Sequence, residues 1–243
     1  MCTHMDRLDN DWVFPHLDYR SRLLSVAPIT EKFTVDGFFK DVPPRFFQIW
    51  FSFLRPVDEN PNKWEAYCKT HGYRYTLYTE HSDYSEIEED MCRDNLWNLF
   101  QDALHTFQVL RASDILRMSL LKKYGGIYID CDFKCDWTGP VYEYLRMNGI
   151  SFILERIGRN VGQDNAIFVC NSFVASPPNH PIVNRVVRSL PGNIEAFEKH
   201  NNKECWVVTG PMLVNRCLYG SYNILPFESF KWNHFDLHMK MNG

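Results

Sequence analysis

Tyr124-Gly125-Gly126-Ile127-Tyr128-Ile129-Asp130-Cys131-Asp132 is the stretch that decides how the chain is read. Ile127 to Ile129 is a short β-prone run ending on two aspartates one residue apart. Side chains alternate along a strand, so Asp130 and Asp132 share one side and Cys131 takes the other. Two like charges about 4 Å apart repel by roughly 4 kcal/mol at an effective dielectric of 20. A divalent cation with oxygen ligands offsets such a cost. An isolated D-x-D is also found opening polar turns, so the residues around it carry the decision.

Immediately upstream, the pattern predicts a helix over Val109 to Tyr124. Leu110, Ile115, Leu116, Leu120 and Leu121 form an apolar stripe, and Lys122 and Lys123 suit a helix C-terminus. Gly125 suits the position just past the end. The helix delivers the chain straight into the Ile127–Ile129 strand. Further upstream, Pro43-Pro44 precedes a buried strand over Arg45 to Phe51. Asn60-Pro61 opens a helix to His71 with Gly72 as its stop, and Tyr73 to Thr79 reads as a second strand. An acidic stretch, Asp83 to Asp90, leads into helix through His105 and reads as a solvated face. This rhythm is that of an α/β domain with a mixed, mainly parallel central sheet flanked by helices. Ligands bind beyond the carboxyl ends of the strands in such sheets, which is where Asp130 and Asp132 fall.

Downstream, Gly139-Pro140 begins a further predicted helix, Ser151 to Glu155 reads as a strand, and Asp164 to Val174 is apolar and partly β-branched. Pro177-Pro178-Asn179-His180-Pro181 is a rigid turn before a helix over Ile182 to Leu190. Asn193 then caps a separate helix to His200, and Gly210-Pro211 starts another through Leu218. No repeat or linker divides the chain. Residues 1–42 read as a leader packing on a single domain over 43–243.

The totals narrow the function. The chain has 243 residues, 45% of them hydrophobic and 15% aromatic, enough for a full core. A net charge of −4 offers no electrostatic footprint for nucleic acid. No apolar run is long enough to cross a bilayer, and the first residues lack a signal peptide's basic and apolar regions. Eight cysteines without a C-x-x-C pair point to reduced thiols. The expectation is a soluble, cytoplasmic-type chain.

Arg111, Asp114 and Arg117 lie three apart on the long helix and share a face. An ordinary surface salt bridge is one reading. The other is a set of fixed charged groups near the aspartates, suited to holding sugar hydroxyls.

The run Arg111-Ala112-Ser113-Asp114-Ile115-Leu116-Arg117, then Leu120-Leu121 and Tyr124 to Asp132, closely resembles the signature of the D-x-D sugar transferases. These include glycosyltransferase family 32, the yeast-type α-mannosyltransferases and, more distantly, the clostridial glucosylating toxins. Phe47-Gln48-Ile49-Trp50 looks like their first strand. Asn165 within Asp164-Asn165-Ala166, Asn179-His180-Pro181 and Thr209-Gly210-Pro211 match later blocks, so the resemblance spans about residues 43–225.

The resemblance implies a GT-A fold, a UDP- or GDP-sugar donor, a Mn²⁺ or Mg²⁺ ion and transfer with retention to a glycan, lipid or protein acceptor. It implies direct metal binding by Asp132, a contact from Asp130 to the metal, ribose or sugar, and donor-sugar contacts from Asp114 and Arg117, with Ser113 beside them. Tyr128 would line the ribose or sugar. Trp50 would stack on the base next to the Gln48–Ile49 backbone, against the alternative of plain core packing. Asn165 would touch the transferred sugar with Gln163 and Asp164 beside it, and His234 would be the third metal ligand, backed by His238 and Asn233. The family's glycine after the first-strand tryptophan is absent, since Phe51-Ser52 follows. Such relatives are often membrane-anchored, whereas this sequence fits a soluble bacterial or viral form. Two alternatives stand beside this reading. One is a catalytically silent sugar-nucleotide-binding module. The other is a haloacid-dehalogenase-like phosphatase, which wants Thr or Val where Phe133 follows Asp132.

Overall fold

The computed structural model describes residues 42–52, 60–131, 135, 153–157, 168–199 and 205–218. Its elements run in the order β1 (Arg45–Ile49), α1 (Asn60–Thr70), β2 (Arg74–Tyr78), α2 (Ser85–Arg93), α3 (Trp97–His105) and α4 (Val109–Tyr124). They continue with β3 (Gly126–Ile129), β4 (Ile153–Ile157), β5 (Phe168–Ser176), α5 (Pro181–Lys199), α6 (Cys205–Val208) and α7 (Pro211–Leu218). The predicted leader, the helix from Gly139-Pro140 and the tail beyond Leu218 lie outside the described residues.

Five strands form one sheet in the order β2-β1-β3-β5-β4. β1 pairs in parallel with β2 and β3, while β5 runs antiparallel to both β3 and β4. Four strands therefore point one way and β5 the other, the mixed, mainly parallel sheet expected. The register sets Phe46 opposite Ile127 and Phe47 opposite Tyr128. Alternation then sends Phe46 to one face, where its ring meets Trp64, Tyr67 and Tyr73 around α1. Phe47 goes to the other face, against Tyr78 and Tyr124. The main core lies on this second face, among α2 to α5, α7 and the sheet.

At the centre is α4. An amphipathic stripe was expected there, but every residue from Arg111 to Leu121 is buried. A helix covered on all sides has no solvent face, which is why its charged residues are enclosed with its leucines. The one departure runs the other way: Leu110, assigned to the stripe, is 65% exposed. The acidic run has more structure than a solvated face. Asp94 takes Lys122 Nζ at 2.5 Å, Asp90 takes Lys123 Nζ at 2.6 Å, and Glu86 accepts the Tyr124 hydroxyl at 2.9 Å. Carboxylates on and just after α2 thus hold the C-terminus of α4, where positive side chains also suit the helix dipole.

Two glycines make the turn from α4 into β3. Gly125 has φ +61° and donates its N–H to Leu121 O, closing the helix as the sequence predicts. A Cβ there would meet the Pro178 nitrogen at 2.5 Å. Gly126 has φ +106°, and a Cβ on it would stand 2.6 Å from Arg45 O in β1. The Pro177-Pro178-Asn179 turn packs on this reversal, with the Asn179 N–H donating to Lys122 O at 2.8 Å.

The expected break at Pro191-Gly192-Asn193 is corrected: α5 runs unbroken through Pro191. Ile182, Val183, Val186, Val187, Leu190, Asn193 and Ile194 form one continuous buried stripe across it. That burial outweighs the roughly 3 kcal/mol that an interior proline costs. Asn193 caps nothing. It is buried in the stripe, donates to Val208 O and accepts from Arg216. The strand read at Ser151 to Glu155 is shifted to Ile153–Ile157, the apolar, partly β-branched run leads into a strand at Phe168–Ser176, and the short α6 has no counterpart in the sequence reading.

Gly126→Ala should lower unfolding stability by more than about 1 kcal/mol, because both the positive φ and the close approach to backbone oppose a side chain. Equal denaturation midpoints for the two proteins would contradict this. His180 gives a pH dependence. It is buried, its Nδ1 accepts the Ile182 N–H at 3.3 Å, and burial pushes its pKa down to about 4. The unfolded chain therefore binds a proton that the folded one refuses, so this residue's contribution is intact above about pH 6.5 and is lost as pH falls towards 4. In urea titrations, His180→Asn should flatten the pH slope of stability in that window. An unchanged slope would contradict the assignment.

Candidate functional site

Arg117, on the third turn of α4, gathers the polar groups at the carboxyl edge of β3. Its Nη1 donates to Asn171 O at 2.7 Å and lies 3.3 Å from Asp130 Oδ1. Its Nη2 stands 3.2 Å from Ser113 Oγ and 3.4 Å from Asp114 Oδ1. The guanidinium carbon sits 4.4 Å from the centre of the Tyr128 ring. Alternation along β3 then pays off chemically: Tyr128 and Asp130 point the same way, and the Tyr128 hydroxyl donates to Asp130 Oδ1 at 2.5 Å. Cys131 points to the opposite face and its thiol bonds to Ile49 O.

The charged trio on α4 is therefore no surface salt bridge. Arg111, Asp114 and Arg117 are each only 5% exposed. Asp114 Oδ1 accepts from Asn171 Nδ2 at 2.9 Å and Oδ2 from the Thr209 hydroxyl at 2.8 Å. Burial drives the Asp114 pKa up, against the opposing pull of Arg117, Thr209 and Asn171. Tyr128, fully enclosed, has its phenol pushed far above the ordinary range by burial, so it stays a donor to Asp130.

Asn171 and Thr209 were not among the residues assigned to the site, although Thr209 lies in a block read as family-like. The step from Leu154 to Arg156 on β4 is matched by the longer step from Val174 back to Val169 on β5, an irregularity that contains Asn171. Such a bulge re-aims side chains, and strand alternation cannot anticipate it. Thr209 is placed by the one-turn α6, whose last carbonyl, Val208 O, is tied to Asn193 in α5.

The assigned donor-side residues of β1 are close by. Gln48 is buried, donating to Asp130 O at 3.2 Å and accepting from the Tyr75 hydroxyl at 2.8 Å. It therefore holds the chain leaving β3. Ile49 is buried and Trp50 half-buried at the carboxyl end of β1, with the Trp50 N–H bonded to Tyr78 O. Asp132, Gln163, Asp164, Asn165 and His234 lie outside the described residues. Among the described residues no group of three or more His, Cys, Asp or Glu side chains could hold a metal ion. Of the two D-x-D carboxylates, Asp130 is among the described residues, its side chain 32% exposed at the sheet edge, with oxygens of the kind a hard divalent cation takes.

The chain thus sets a D-x-D after the central strand β3, backed by a buried Asp–Arg pair, in an α/β fold similar to that of a solved glycosyltransferase. A family model described as the glycosyltransferase sugar-binding region containing DXD motif matches residues 56–147. Inositol phosphoceramide mannosyltransferase 3 of Schizosaccharomyces pombe is 26% identical over 225 residues, which is 90% of this chain and 56% of that protein. Inositol phosphoceramide mannosyltransferase 1 of the same yeast is 23% identical over 69% of this chain and 48% of its own length. The chain thus spans about half the length of these relatives. Toxin A of Clostridium novyi is 53% identical over 34 residues, 14% of this chain and 2% of the toxin. Among solved structures, the PaToxG glycosyltransferase superposes with a TM-score of 0.51 at 15% identity, covering 82% of this chain and 75% of that one. No helix among the described residues is long and apolar enough to cross a membrane.

Thr209→Val should cost about 1–3 kcal/mol at pH 7, because it strips a hydrogen bond from an enclosed carboxylate. The raised Asp114 pKa sets the sign with pH: protonation relieves the stranded charge, so the cost should shrink as pH falls. Denaturant titrations at pH 7 and pH 4.5 check this, and a cost that grows in acid would contradict it.

Proposed function

We propose that this chain transfers a hexose from a nucleotide-sugar, UDP- or GDP-linked, to a carbohydrate-type acceptor, with retention at the anomeric carbon and with Mn²⁺ or Mg²⁺. The observation that carries the reading is the Asp114–Arg117–Asp130 constellation, in which a buried helix aims a carboxylate and a guanidinium at the strand end bearing the D-x-D. The family-model match and the yeast mannosyltransferase similarity support it. Residues 43–243 would act as one catalytic domain.

In this reading Asp130 and Asp132, with His234 from the tail, hold the divalent cation. When bound, that ion supplies Lewis-acid stabilisation of the charge on the departing diphosphate. Asp114 and Arg117 have a different task. Both are pinned by protein hydrogen bonds before any ligand arrives, so they can fix sugar hydroxyls without reorganising. Arg117 also balances the negative charge of Asp130, and Tyr128 holds that carboxylate in one orientation. Ser113 braces Arg117. Trp50, with the Gln48–Ile49 backbone, offers a half-exposed aromatic surface for the base, while Asn165, Gln163 and Asp164 would complete the sugar pocket. The acceptor of the yeast relatives is an inositol phosphoceramide by name, which makes a phosphorylated polyol head group a reasonable class here.

Release of nucleoside diphosphate from nucleotide-sugars, followed with and without Mn²⁺, tests the proposal. Asp130→Asn and Asp132→Asn should each lower metal-dependent turnover by about a hundredfold or more. Turnover that survives both substitutions, or that ignores a chelator, would contradict it.

A further inference from the structure

Arg111 has a charge for which the protein supplies only half a partner. Its side chain is enclosed, and its Nη1 pairs with Glu198 Oε1 at 2.6 Å. Glu198 is itself about half exposed. Nε and Nη2 are buried and, among the described residues, have no hydrogen-bond partner. These are the two nitrogens whose N–H groups lie parallel along one edge of the guanidinium, the edge that takes two oxygens of a phosphate or carboxylate. Enclosing two such donors unpaired is costly, more so on a charged group. Other polar groups on this side of α4 are matched: Asp114 by Asn171 and Thr209, and Arg117 by Asn171, Ser113 and Asp130.

Position says which ligand. α4 descends from the sheet's carboxyl edge, so its N-terminal turns are the outer ones. Arg117 reaches Asp130, Asp114 lies one turn further out, and Arg111 one turn beyond that. Six residues at 1.5 Å each set Arg111 about 9 Å along the helix from Arg117. The diphosphate belongs at the D-x-D end of this ladder, so its opposite end lies past the transferred sugar. A negative charge is also favoured there by the first turn of a sixteen-residue helix. Leu110 and Phe107, exposed by 65% and 64%, stand at the same helix entry.

We infer that the free edge of the Arg111 guanidinium binds a phosphate group carried by the acceptor, holding the acceptor hydroxyl beside the donor sugar. This rests on the transferase reading above and names the acceptor's chemical class within it. The phosphate is carried either by a soluble polyol or by a lipid head group, and the two arms of the test separate these sources.

Calorimetric titration of the full chain with myo-inositol 1-phosphate and with myo-inositol, beside sedimentation with phosphatidylinositol and phosphatidylcholine vesicles, tests the inference. Wild type should prefer the phosphate-bearing probe by at least about tenfold in the soluble or the vesicle arm, and the arm that responds names the source. Arg111→Met should abolish that preference. Arg111→Lys, which keeps the charge but not the parallel edge, should recover only part of it. Binding of UDP and GDP with Mn²⁺ is measured on the same proteins. No phosphate preference in wild type, or an equal preference in Arg111→Met, overturns the inference. So does loss of nucleotide binding in Arg111→Met, which would assign the edge to the donor. Failure of wild type to bind either nucleotide counts against the transferase reading, and the phosphate arms still report on Arg111 itself.

Discussion

The contact between Arg117 and Asp130 is the constraint around which the rest is arranged. It joins the buried helix to the strand end where the chemistry is expected, and it sets an enclosed guanidinium against a carboxylate at the partly open sheet edge. Enclosing a guanidinium costs least when its donors are taken, since desolvation of an unpaired charge costs several kcal/mol. Asn171, Ser113, Asp114 and the Tyr128 ring together meet that demand. The buried polar network is thus what makes α4 fit its place as well as what makes the site.

Several distant features serve the same contact. Gly125 and Gly126 let α4 turn into β3 at close quarters with Pro178 and Arg45, which sets the height of Arg117 relative to Asp130. Asp90, Asp94 and Glu86 hold the far end of the helix through Lys123, Lys122 and Tyr124. On the opposite side, Asn193 and Arg216 hold the end of α6, so that Thr209 meets Asp114. A helix restrained at both ends can present charged side chains without sliding. Preorganisation of this kind is what transition-state stabilisation needs.

Much of this was legible in the residues, for reasons that can be named. The span of α4 could be read from its lysines and Gly125, because capping and dipole effects are local. Parallel β1, β2 and β3 followed from the strand–helix rhythm. The helix break misplaced at Pro191 shows where local rules yield: a buried stripe on both sides of the proline overrode its propensity. Reading Leu110 as core failed because it sits at the helix entry, one residue before the enclosed stretch Arg111–Leu121, where periodicity does not tell how far the covering elements reach. Asn171 could not be found by strand alternation, since a bulge turned it towards Asp114. Thr209 could be flagged by its surrounding Thr-Gly-Pro block, but its pairing with Asp114, ninety-five positions earlier, is a fact of tertiary packing.

The central claim is that the end of β3 and the helix behind it form a cation-assisted nucleotide-sugar site. Anomalous diffraction from crystals grown with Mn²⁺ and UDP or GDP tests it most directly. The account predicts one manganese peak within ligand distance of the Asp130 and Asp132 carboxylates, with the nucleotide's phosphates on it and Arg117 still in contact with Asp130. Manganese and nucleotide bound away from this strand end, with Asp130 unliganded, would contradict it.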